Sequence, residues 1–453
     1  MEKNIPRLII SAPQSGGGKT TVTAALISAL MKRGLAVQSF KCGSDYIDPM
    51  LHSHITGRSA YHTDPFFSDT NNLRSIAAEH SAGSDIAVIE GAMGFYDGLG
   101  CSCEASTYTV SAALNAPVIL VVEPKGMGCS VAAMVNGFIK FKENSRIKGV
   151  IFNRIKPEMY GYYQKIITEE TDTAAVGFIP EISQAKIESR HLGLMTPEEI
   201  VGLDEKINIL GEKALETLDI KAIMKIARSP EYPKYKPIPK VPCGKPFRLG
   251  IARDNAFCFY YAENIDILKE LGAEIVEFSP ISDSVMPDGL DGIYLGGGYP
   301  ELYLEALSKN HSFIDSLREY ASNKTPILAE CGGFMYILQG IKGKDGKIYP
   351  MASLTDGIAE LGDRLCRFGY ITLTANEDTM LAKKGMSVKA HEFHYSDSTE
   401  NGCSYTAAKC GGRQWNAIVS KENIHGGFPH LYFPSNIDFA VNFAERCREN
   451  KNL

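Results

Sequence analysis

The feature that most constrains this chain is a short apolar strand that runs through a glycine-rich loop directly into a helix. Residues 8–10 are Leu-Ile-Ile, residues 11–21 read SAPQSGGGKTT, and residues 22–34 have helical periodicity. This order is typical of parallel α/β folds that hold phosphate groups at a helix amino terminus. The usual spacing has glycine where this chain has Pro13, so the motif is a variant P-loop. The alternative, a turn without a ligand, is disfavoured by Gly-Lys-Thr at the helix start.

Each residue of the loop has a separate expected role. Gly16, Gly17 and Gly18 allow the backbone to curl so that successive N–H groups point at phosphate oxygens. Lys19 is predicted to reach the β- and γ-phosphates, and the Thr20 hydroxyl is predicted to ligate Mg²⁺. The loop therefore predicts a site for a nucleoside triphosphate.

Acidic residues lie at the ends of other predicted strands in the same half of the chain. Glu90 ends one strand and is the second candidate metal ligand. Asp45 and Asp48 follow another strand, and Asp97 lies in a glycine-flanked turn. Taken singly, each aspartate is more often a helix cap or turn former. Because the carboxyl ends of parallel strands face one crevice, the four together favour magnesium and phosphoryl transfer.

A proline-rich segment divides the chain. Residues 228–248 contain six prolines and show neither helical nor alternating periodicity, which is typical of an extended linker. Short apolar runs alternate with amphipathic segments on both sides of it, so each half is predicted to be an α/β sheet. The predicted buried strands are 8–10, 37–40, 86–89, 118–122, 150–152 and 175–179 in the first half, and 249–252, 274–278, 292–295 and 326–329 in the second. The predicted domains are 1–228 and 248–453, joined by a linker at 229–247. Strands between Met351 and Trp415 are expected to be antiparallel.

A second reactive site is predicted in the carboxy-terminal domain. An apolar strand leads into Cys331 and then two glycines, which permit a sharp strand-to-helix turn that presents the thiol. This geometry is expected to lower the pKa of the thiol. Backbone N–H groups of Gly332, Gly297 and Gly298 are the predicted oxyanion hole, and His430 is the predicted base.

Two other histidines compete for the role of base. His391 and His394 lie in the segment AHEFHYS, and either could reach the thiol through the fold. Their spacing also allows a metal pair, although no third ligand accompanies them. The sequence therefore favours His430 and keeps these two as alternatives.

Charge and composition limit the partners. The net charge is −6, so no global basic field is available to hold nucleic acid or an anionic membrane. The apolar runs are far shorter than a membrane span, and the start of the chain lacks a signal peptide. We expect a cytoplasmic protein that binds neither nucleic acid nor membrane. Most of its eleven cysteines are expected to be reduced, buried thiols.

Seven motifs, in the order in which they occur along the chain, resemble those of one known family. SAPQSGGGKTT, KCGSDYIDP, VIEGAMGFYDG, SRHLGLMTPEE, LGGGYPE, ECGGFMYIL and HEFHYS closely resemble the cobyrinate a,c-diamide synthase family of cobalamin biosynthesis. The resemblance spans nearly the whole chain. It implies a dethiobiotin-synthetase-like ATPase domain fused to a class I glutamine amidotransferase domain. It also implies ATP, Mg²⁺, glutamine and cobyrinate as ligands, with amidation of the a and c carboxylates.

The resemblance also implies residue roles. Cys331 becomes the glutaminase nucleophile and His430 the group that activates it. Lys19, Thr20 and Glu90 fall at the ATP and Mg²⁺ positions. The remaining matches are the synthetase-site residues Asp45, Asp48 and Asp97 and the adenine-side residue Asn153.

This chain departs from the family pattern at a few positions. Ser44 stands where proline is usual, and PHLYF replaces a segment closer to THLHF. Position 432 is Tyr432, so the acidic residue that commonly follows the histidine by two is absent. The thiol site is therefore predicted to be a Cys-His dyad.

The predicted reaction is chemically coherent. Hydroxide is a poor leaving group, so the carboxylate is first phosphorylated to an acyl phosphate, which ammonia from glutamine then displaces. A related synthase acting on nickel sirohydrochlorin or another tetrapyrrole would share every motif. A partitioning or regulatory P-loop ATPase fused to an inactive amidotransferase module is a further alternative, disfavoured by the intact Cys331, Gly332 and His430.

Overall fold

A computed structural model describes residues 5–187, 189–190 and 193–451. The chain forms two compact units, of which the first ends at Ile238 and the second begins at Pro239. This division falls inside the proline-rich segment. The domain limits 1–228 and 248–453 remain predictions, and residues 191–192 of the SRHLGLMTPEE motif lie outside the described part.

The first unit is built on a seven-stranded parallel sheet with the order β3-β2-β4-β1-β5-β6-β7. All six segments predicted as buried strands in this half are strands. A separate antiparallel pair, β8 and β9, follows them. The strands are β1 (Arg7–Ser11), β2 (Val37–Lys41), β3 (Tyr61–His62), β4 (Ile86–Glu90), β5 (Val118–Val122), β6 (Ile147–Asn153), β7 (Ala174–Ile179), β8 (Ser189–Arg190) and β9 (Gly193–Leu194).

Helices connect these strands. In α1 all residues from Val22 to Leu30 are buried, which matches its position beside the central strand β1. The helices are α1 (Lys19–Lys32), α2 (Ile47–Thr56), α3 (Thr70–His80), α4 (Thr107–Leu114), α5 (Ser130–Lys140), α6 (Tyr160–Glu170), α7 (Leu203–Thr217) and α8 (Ile220–Arg228). Because β1, β2 and β4 are parallel neighbours, the segments that follow them meet at one edge of the sheet.

The segment between α8 and β10 has neither helix nor strand, as its prolines predict. Its first part is nevertheless held to the first unit by hydrogen bonds. Arg7 Nη2 donates to the Glu231 carbonyl (2.7 Å), and the Tyr232 hydroxyl donates to the Arg74 carbonyl (2.7 Å). The guanidinium of Arg7 also lies over the Tyr232 ring at 4.7 Å.

The second unit is also α/β and contains three sheets. Its strands are β10 (Phe247–Ala252), β11 (Ala273–Phe278), β12 (Gly292–Leu295), β13 (Ile327–Glu330), β14 (Gly340–Lys342), β15 (Ile348–Pro350), β16 (Ile358–Leu361), β17 (Arg367–Ala375), β18 (Ser387–His394), β19 (Ser396–Ser398), β20 (Tyr405–Ala408), β21 (Gln414–Ala417), β22 (Val419–Lys421), β23 (Ile424–Gly427) and β24 (His430–Leu431). Its helices are α9 (Ala262–Glu270), α10 (Leu304–Lys309), α11 (His311–Ser322), α12 (Gly332–Ile337) and α13 (Asp438–Lys451).

Two of these sheets position the reactive groups. The main sheet has the order β11-β10-β12-β13-β23-β22, parallel except for β22, and β13 lies within it. The second sheet has the order β21-β20-β17-β18-β24 and is antiparallel. The expectation of antiparallel strands between Met351 and Trp415 is confirmed for β17, β18, β20 and β21, whereas β16 pairs antiparallel with β19 and parallel with β14.

His425 on β23 makes the stability of the second unit sensitive to acid. The ring is 1% exposed, and burial lowers its pKa to about 3. An unfolded histidine takes up a proton near pH 6.5. Between these two pKa values, His425 is protonated in the unfolded state and neutral in the folded state. The free energy of unfolding therefore falls as the pH falls. We expect His425→Phe to gain stability relative to the unsubstituted chain between pH 7 and pH 5. The measurement is urea unfolding of both proteins at pH 7 and at pH 5. An equal difference between their free energies of unfolding at the two pH values would contradict the prediction.

The cysteines differ from expectation in their exposure. All eleven have free thiols, but only Cys42, Cys331 and Cys447 are buried. The expectation that most would be buried is therefore wrong, because several of the others lie in exposed turns. Among the described residues, the helices are too short or too polar to span a lipid bilayer.

Candidate active sites

The glycine loop has the backbone that its sequence predicts. Gly16 and Gly18 have φ angles of 75° and 88°, in the left-handed region that favours glycine. Gly18 is also the N-cap of α1. A Cβ at position 18 would lie 2.0 Å from Asn153 Nδ2, so the Asn153 side chain packs closely against the loop. Substituting Gly18 would disturb the loop through both its φ angle and this contact.

Lys19 closes over this loop. Its ammonium donates to the carbonyls of Met93 (2.5 Å) and Gln14 (3.3 Å), both in the segments that surround the phosphate position. Burial and the nearby charge of Lys41 lower the pKa of Lys19 to about 8. Lys19 remains cationic at pH 7, and it can exchange these carbonyl contacts for phosphate oxygens.

Oxygen ligands converge beside Lys19. Thr20 Oγ1 donates to Glu90 Oε1 (2.7 Å) and lies 3.3 Å from Asp48 Oδ1. Lys41 contacts both carboxylates, through an ion pair with Asp48 and a 3.1 Å contact with Glu90 Oε1. His52 Nε2 lies 2.8 Å from Glu90 Oε2. The strand ends thus bring Thr20, Asp48 and Glu90 together, as the sequence predicts.

The buried charges are interdependent. Burial raises the pKa of Asp48 well above its usual range, and Asp45 and Glu90 raise it further. Burial alone would raise the pKa of Glu90, but Lys41 and the hydrogen bond from His52 outweigh burial and lower it. Burial would lower the pKa of Lys41, but the two carboxylates raise it. Lys41 is therefore a permanent cation that partly neutralises the acidic cluster.

The other predicted synthetase residues lie around this cluster. Asp45 is exposed and accepts from the Ile47 backbone N–H (2.9 Å), at the start of α2. Asp97 Oδ2 accepts from the Gly94 N–H (2.8 Å), and its charge acts on Lys19. Both aspartates therefore accept the local hydrogen bonds expected of a helix cap or turn former. Both also lie close enough to other charged groups to act on their pKa values. Asn153 Nδ2 donates to the Gly17 carbonyl (3.1 Å), so this amide supports the loop, and its adenine-side role remains a prediction.

In the second unit, Cys331 sits on a strained turn between β13 and α12. Its φ of 48° and ψ of −103° are rare for a non-glycine residue, as expected for a nucleophile elbow. Close packing requires glycine directly after the nucleophile, where the chain faces the loop that contains Gly298. A Cβ on Gly332 would lie 2.9 Å from Pro300 Cδ and 3.0 Å from the Gly298 nitrogen. The structure thus brings the predicted oxyanion residues Gly298 and Gly332 together, whereas the N–H of the third, Gly297, donates to the Phe259 carbonyl (3.3 Å).

His430 faces the same glycine loop. A Cβ on Gly297 would lie 2.3 Å from His430 Cε1, so the imidazole packs directly against this backbone. His430 begins β24, whose pairing with β18 places His391 opposite it. His394 lies further along β18, where its ring stacks on Phe428 at 4.1 Å. The geometry favours His430 as the base, since its ring contacts the predicted oxyanion loop.

The expected lowering of the Cys331 pKa is not found. Burial raises the pKa of the thiol, and the charge of Glu301 raises it further. Burial also lowers the pKa of His430 to about 3, with smaller contributions from His391 and His394. Because α12 is only six residues long and the thiol is deeply buried, the loss of hydration dominates. The resting pair is therefore a neutral thiol and a neutral imidazole.

A buried acid lies next to His430. Glu330, the last residue of β13, has Oε2 3.8 Å from His430 Nδ1. Its carboxyl accepts from the Tyr294 hydroxyl (2.8 Å) and from the Leu431 N–H (2.9 Å). Burial raises the pKa of Glu330 to about 8. An acidic residue thus lies near His430 in space, although position 432 is tyrosine.

Two family models match the chain in succession. The CobQ/CobB/MinD/ParA nucleotide binding domain matches residues 8–194, and the CobB/CobQ-like glutamine amidotransferase domain matches residues 248–437. The cobyrinate a,c-diamide synthase of Listeria innocua is 38% identical over 439 residues, which cover 95% of this chain and 97% of that protein. That of Clostridium tetani is 36% identical over 446 residues, covering 97% and 99%. The chain belongs to the cobyrinate a,c-diamide synthase family.

Membership of the cobyrinate a,c-diamide synthase family confirms several predictions. The two-domain α/β fold class is correct, with the P-loop unit first. The enzyme class, a glutamine-hydrolysing carbon–nitrogen ligase, is also correct. Lys19, Thr20 and Glu90 lie within the first matched segment, and Cys331 and His430 lie within the second.

Sequence reasoning missed three residues of the sites. Lys41 ends β2 shortly before the predicted acids Asp45 and Asp48, and a cation at that position is a signal that the sequence does contain. His52 lies 38 residues before its partner Glu90 and carries no spacing signal. Glu330 directly precedes Cys331, but the histidine that it approaches, His430, is distant in sequence.

Proposed function

We propose that this enzyme amidates the a and c carboxylates of cobyrinate, using ATP, Mg²⁺ and the amide nitrogen of glutamine. The observation that supports the proposal is that the residues predicted for each of two sites lie together within one chain of this family. Lys19, Thr20 and Glu90 form a triphosphate site in the first unit, and Cys331 and His430 form a thiol site in the second. A glutaminase and a phosphoryl-transfer site together supply both reactants of an amide bond.

The first site activates the carboxylate. A carboxylate oxygen of the substrate attacks the γ-phosphorus of ATP, the bond to the β–γ bridging oxygen breaks, and ADP leaves. Lys19 and the loop N–H groups stabilise the charge of the transferred phosphoryl group. The product is an acyl phosphate, whose phosphate is a far better leaving group than hydroxide.

The residues present fit magnesium. The Thr20 hydroxyl lies within hydrogen-bonding distance of the carboxylates of Asp48 and Glu90, and hard oxygen ligands of this kind are the donor set that Mg²⁺ prefers. Thr20 and Glu90 would hold the ion together with phosphate oxygens, and the bound ion would neutralise charge on the triphosphate. Lys41 keeps the two buried carboxylates paired and in position.

The second site releases ammonia. The Cys331 sulfur attacks the side-chain amide carbon of glutamine while His430 takes the thiol proton. The C–N bond then breaks, His430 returns the proton to the leaving nitrogen, and ammonia departs from the thioester. Water hydrolyses the thioester to glutamate and regenerates the thiol. Backbone N–H groups of Gly298 and Gly332 stabilise the tetrahedral oxyanions. Ammonia attacks the acyl phosphate, expelling inorganic phosphate and leaving the amide.

Incubation of the protein with ATP, Mg²⁺, glutamine and cobyrinate tests this function. We expect a product with two new amides per ring, one ADP and one glutamate per amide. Nickel sirohydrochlorin is the matched alternative substrate. Diamidation of that compound and not of cobyrinate would contradict the proposed substrate, whereas glutamine hydrolysis without amidation of either would contradict the ligase reaction.

Glu330→Gln tests whether the neighbouring carboxylate supports His430. The change keeps the volume and an acceptor for Tyr294 or Leu431, but it removes a carboxyl group that can ionise when the imidazolium forms beside it. We expect glutamine hydrolysis to fall on the order of 100-fold, while amidation with high ammonia is retained. Glu360→Gln, at an exposed ion pair with Lys342, is the matched control. An unchanged glutaminase rate in Glu330→Gln would rule out this role.

A further inference from the structure

A groove in the first unit lies between the end of α1 and helix α8. It has a volume of about 660 Å³, within the size range of small-molecule sites. Arg33, which lines it, is the C-cap of α1, whereas Lys19 begins the same helix at the phosphate loop. A helix of 14 residues is about 20 Å long, so the groove is separate from the candidate ATP site.

The groove has an apolar floor and a cationic rim. Its floor is formed by Leu35, Ile220 and Met224, which are buried or half-buried. Four exposed cations surround this floor, and the lining contains no acidic residue. These cations, called the rim below, are Arg33, Lys221, Lys225 and Arg228.

The rim is not neutralised by the protein. Among the residues that the structure describes, none of the four side chains makes an ion pair or a hydrogen bond. The adjoining acids serve the backbone instead: Asp219 accepts from the Ala222 N–H (2.9 Å), and Asp85 accepts from the Ala36 N–H (2.8 Å). Like charges four residues apart, as at positions 221 and 225, destabilise a helix. An anionic ligand would remove this repulsion.

The spacing of the rim indicates how the charge of the ligand is distributed. Lys221 and Arg228 are seven residues apart, which is about 10 Å along α8, and Arg33 approaches from a different helix. A nucleoside triphosphate concentrates its charge at one end and would leave part of the rim without a partner. A macrocycle with carboxylate side chains carries its charges around an apolar ring. The groove has the same arrangement with the opposite charge.

We propose that this groove is an accessory binding site for the carboxylated tetrapyrrole, outside the site of phosphoryl transfer. The proposal rests on the proposed function, because it takes cobyrinate as the substrate, and it adds a second site for that compound. Each amidation removes one negative charge from the macrocycle. The groove therefore binds the unamidated substrate more tightly than the diamide, so it concentrates substrate at the enzyme and releases product.

Equilibrium dialysis tests the proposal. The full-length protein is dialysed against cobyrinate without ATP or glutamine, and the absorbance of the macrocycle gives the number bound per chain. The groove variant is Lys225→Ala/Arg228→Ala. The matched control is Lys140→Ala/Lys165→Ala, which removes two exposed lysines from α5 and α6 of the same unit. All four substituted side chains are exposed, so the core of the unit is unchanged.

We expect the groove variant to bind one cobyrinate per chain fewer than the unsubstituted protein and the control. Two lost charge-assisted contacts should weaken this site at least about tenfold. Equal numbers bound by the groove variant and the control would overturn the proposal. Displacement of the groove-bound cobyrinate by equimolar tripolyphosphate would also overturn it, because the groove would then be a phosphate site.

Two further outcomes separate this proposal from the proposed function. The groove variant should keep its amidation rate at saturating cobyrinate. Loss of that rate would place the two cations in the synthetase site and would overturn an accessory site. Absence of any cobyrinate binding to the unsubstituted protein would instead contradict the proposed substrate, and this proposal with it.

Discussion

Cys331→Ala is expected to abolish glutamine-dependent amidation, by at least about 1,000-fold, because the thioester cannot form without the sulfur. Amidation with high concentrations of ammonia should persist, since only the nitrogen supply passes through this residue. The measurement is the rate of amide formation with glutamine and, separately, with ammonium chloride at pH 8. The ratio of the two rates isolates the glutaminase from the synthetase.

Cys447→Ala is the matched control, because this thiol is also buried in the second unit but belongs to α13 and faces Gly292. His430→Ala should behave like Cys331→Ala, since a neutral buried thiol needs a base to take its proton. Loss of both activities in folded Cys331→Ala would contradict a role confined to the glutaminase. Full glutaminase activity in His430→Ala would transfer the role of base to His391 or His394.

Lys19→Ala is expected to stop amidation with either nitrogen source. The Lys19 ammonium is the cation that closes the phosphate loop, and loss of one such contact typically costs on the order of 100-fold or more in rate. The Cys331 site is untouched, so the variant should still form a thioester with glutamine. The measurement is ADP release with ammonia, alongside trapping of the thioester.

Lys32→Ala, at the exposed end of the same helix, is the matched control and should keep both activities. Undiminished amidation by Lys19→Ala with ammonia would mean that the P-loop does not carry the phosphoryl transfer. Loss of thioester formation in Lys19→Ala would show instead that an occupied triphosphate site is needed for glutamine hydrolysis.

The fold was largely predictable because parallel strands buried on both faces are continuous apolar runs. All of the predicted strands, from Leu8–Ile10 to the strand before Cys331, are strands in the structure. Glu90 ends β4, and Thr20 begins the helix that follows β1 and its loop; both could be assigned to one site because parallel strands share an edge. These inferences need only local sequence and the direction of each strand.

The missed features depend on contacts between distant segments. Glu330 meets Leu431 across 101 residues and Lys41 meets Glu90 across 49, and no local pattern encodes such pairs. The pKa of Cys331 was predicted with the wrong sign because a sequence shows that a helix begins after the thiol but not how deeply the thiol is buried. Burial is set by packing from several elements at once.

Transfer of ¹⁸O from the substrate to phosphate tests the central claim most directly. Cobyrinate labelled with ¹⁸O in its a and c carboxylates is converted with ATP, Mg²⁺ and glutamine, and the inorganic phosphate is analysed by mass spectrometry. We predict one ¹⁸O atom in phosphate for each amide formed, because the oxygen that bridges carbon and phosphorus leaves with the phosphate. Amide formation with unlabelled phosphate would contradict the acyl-phosphate route.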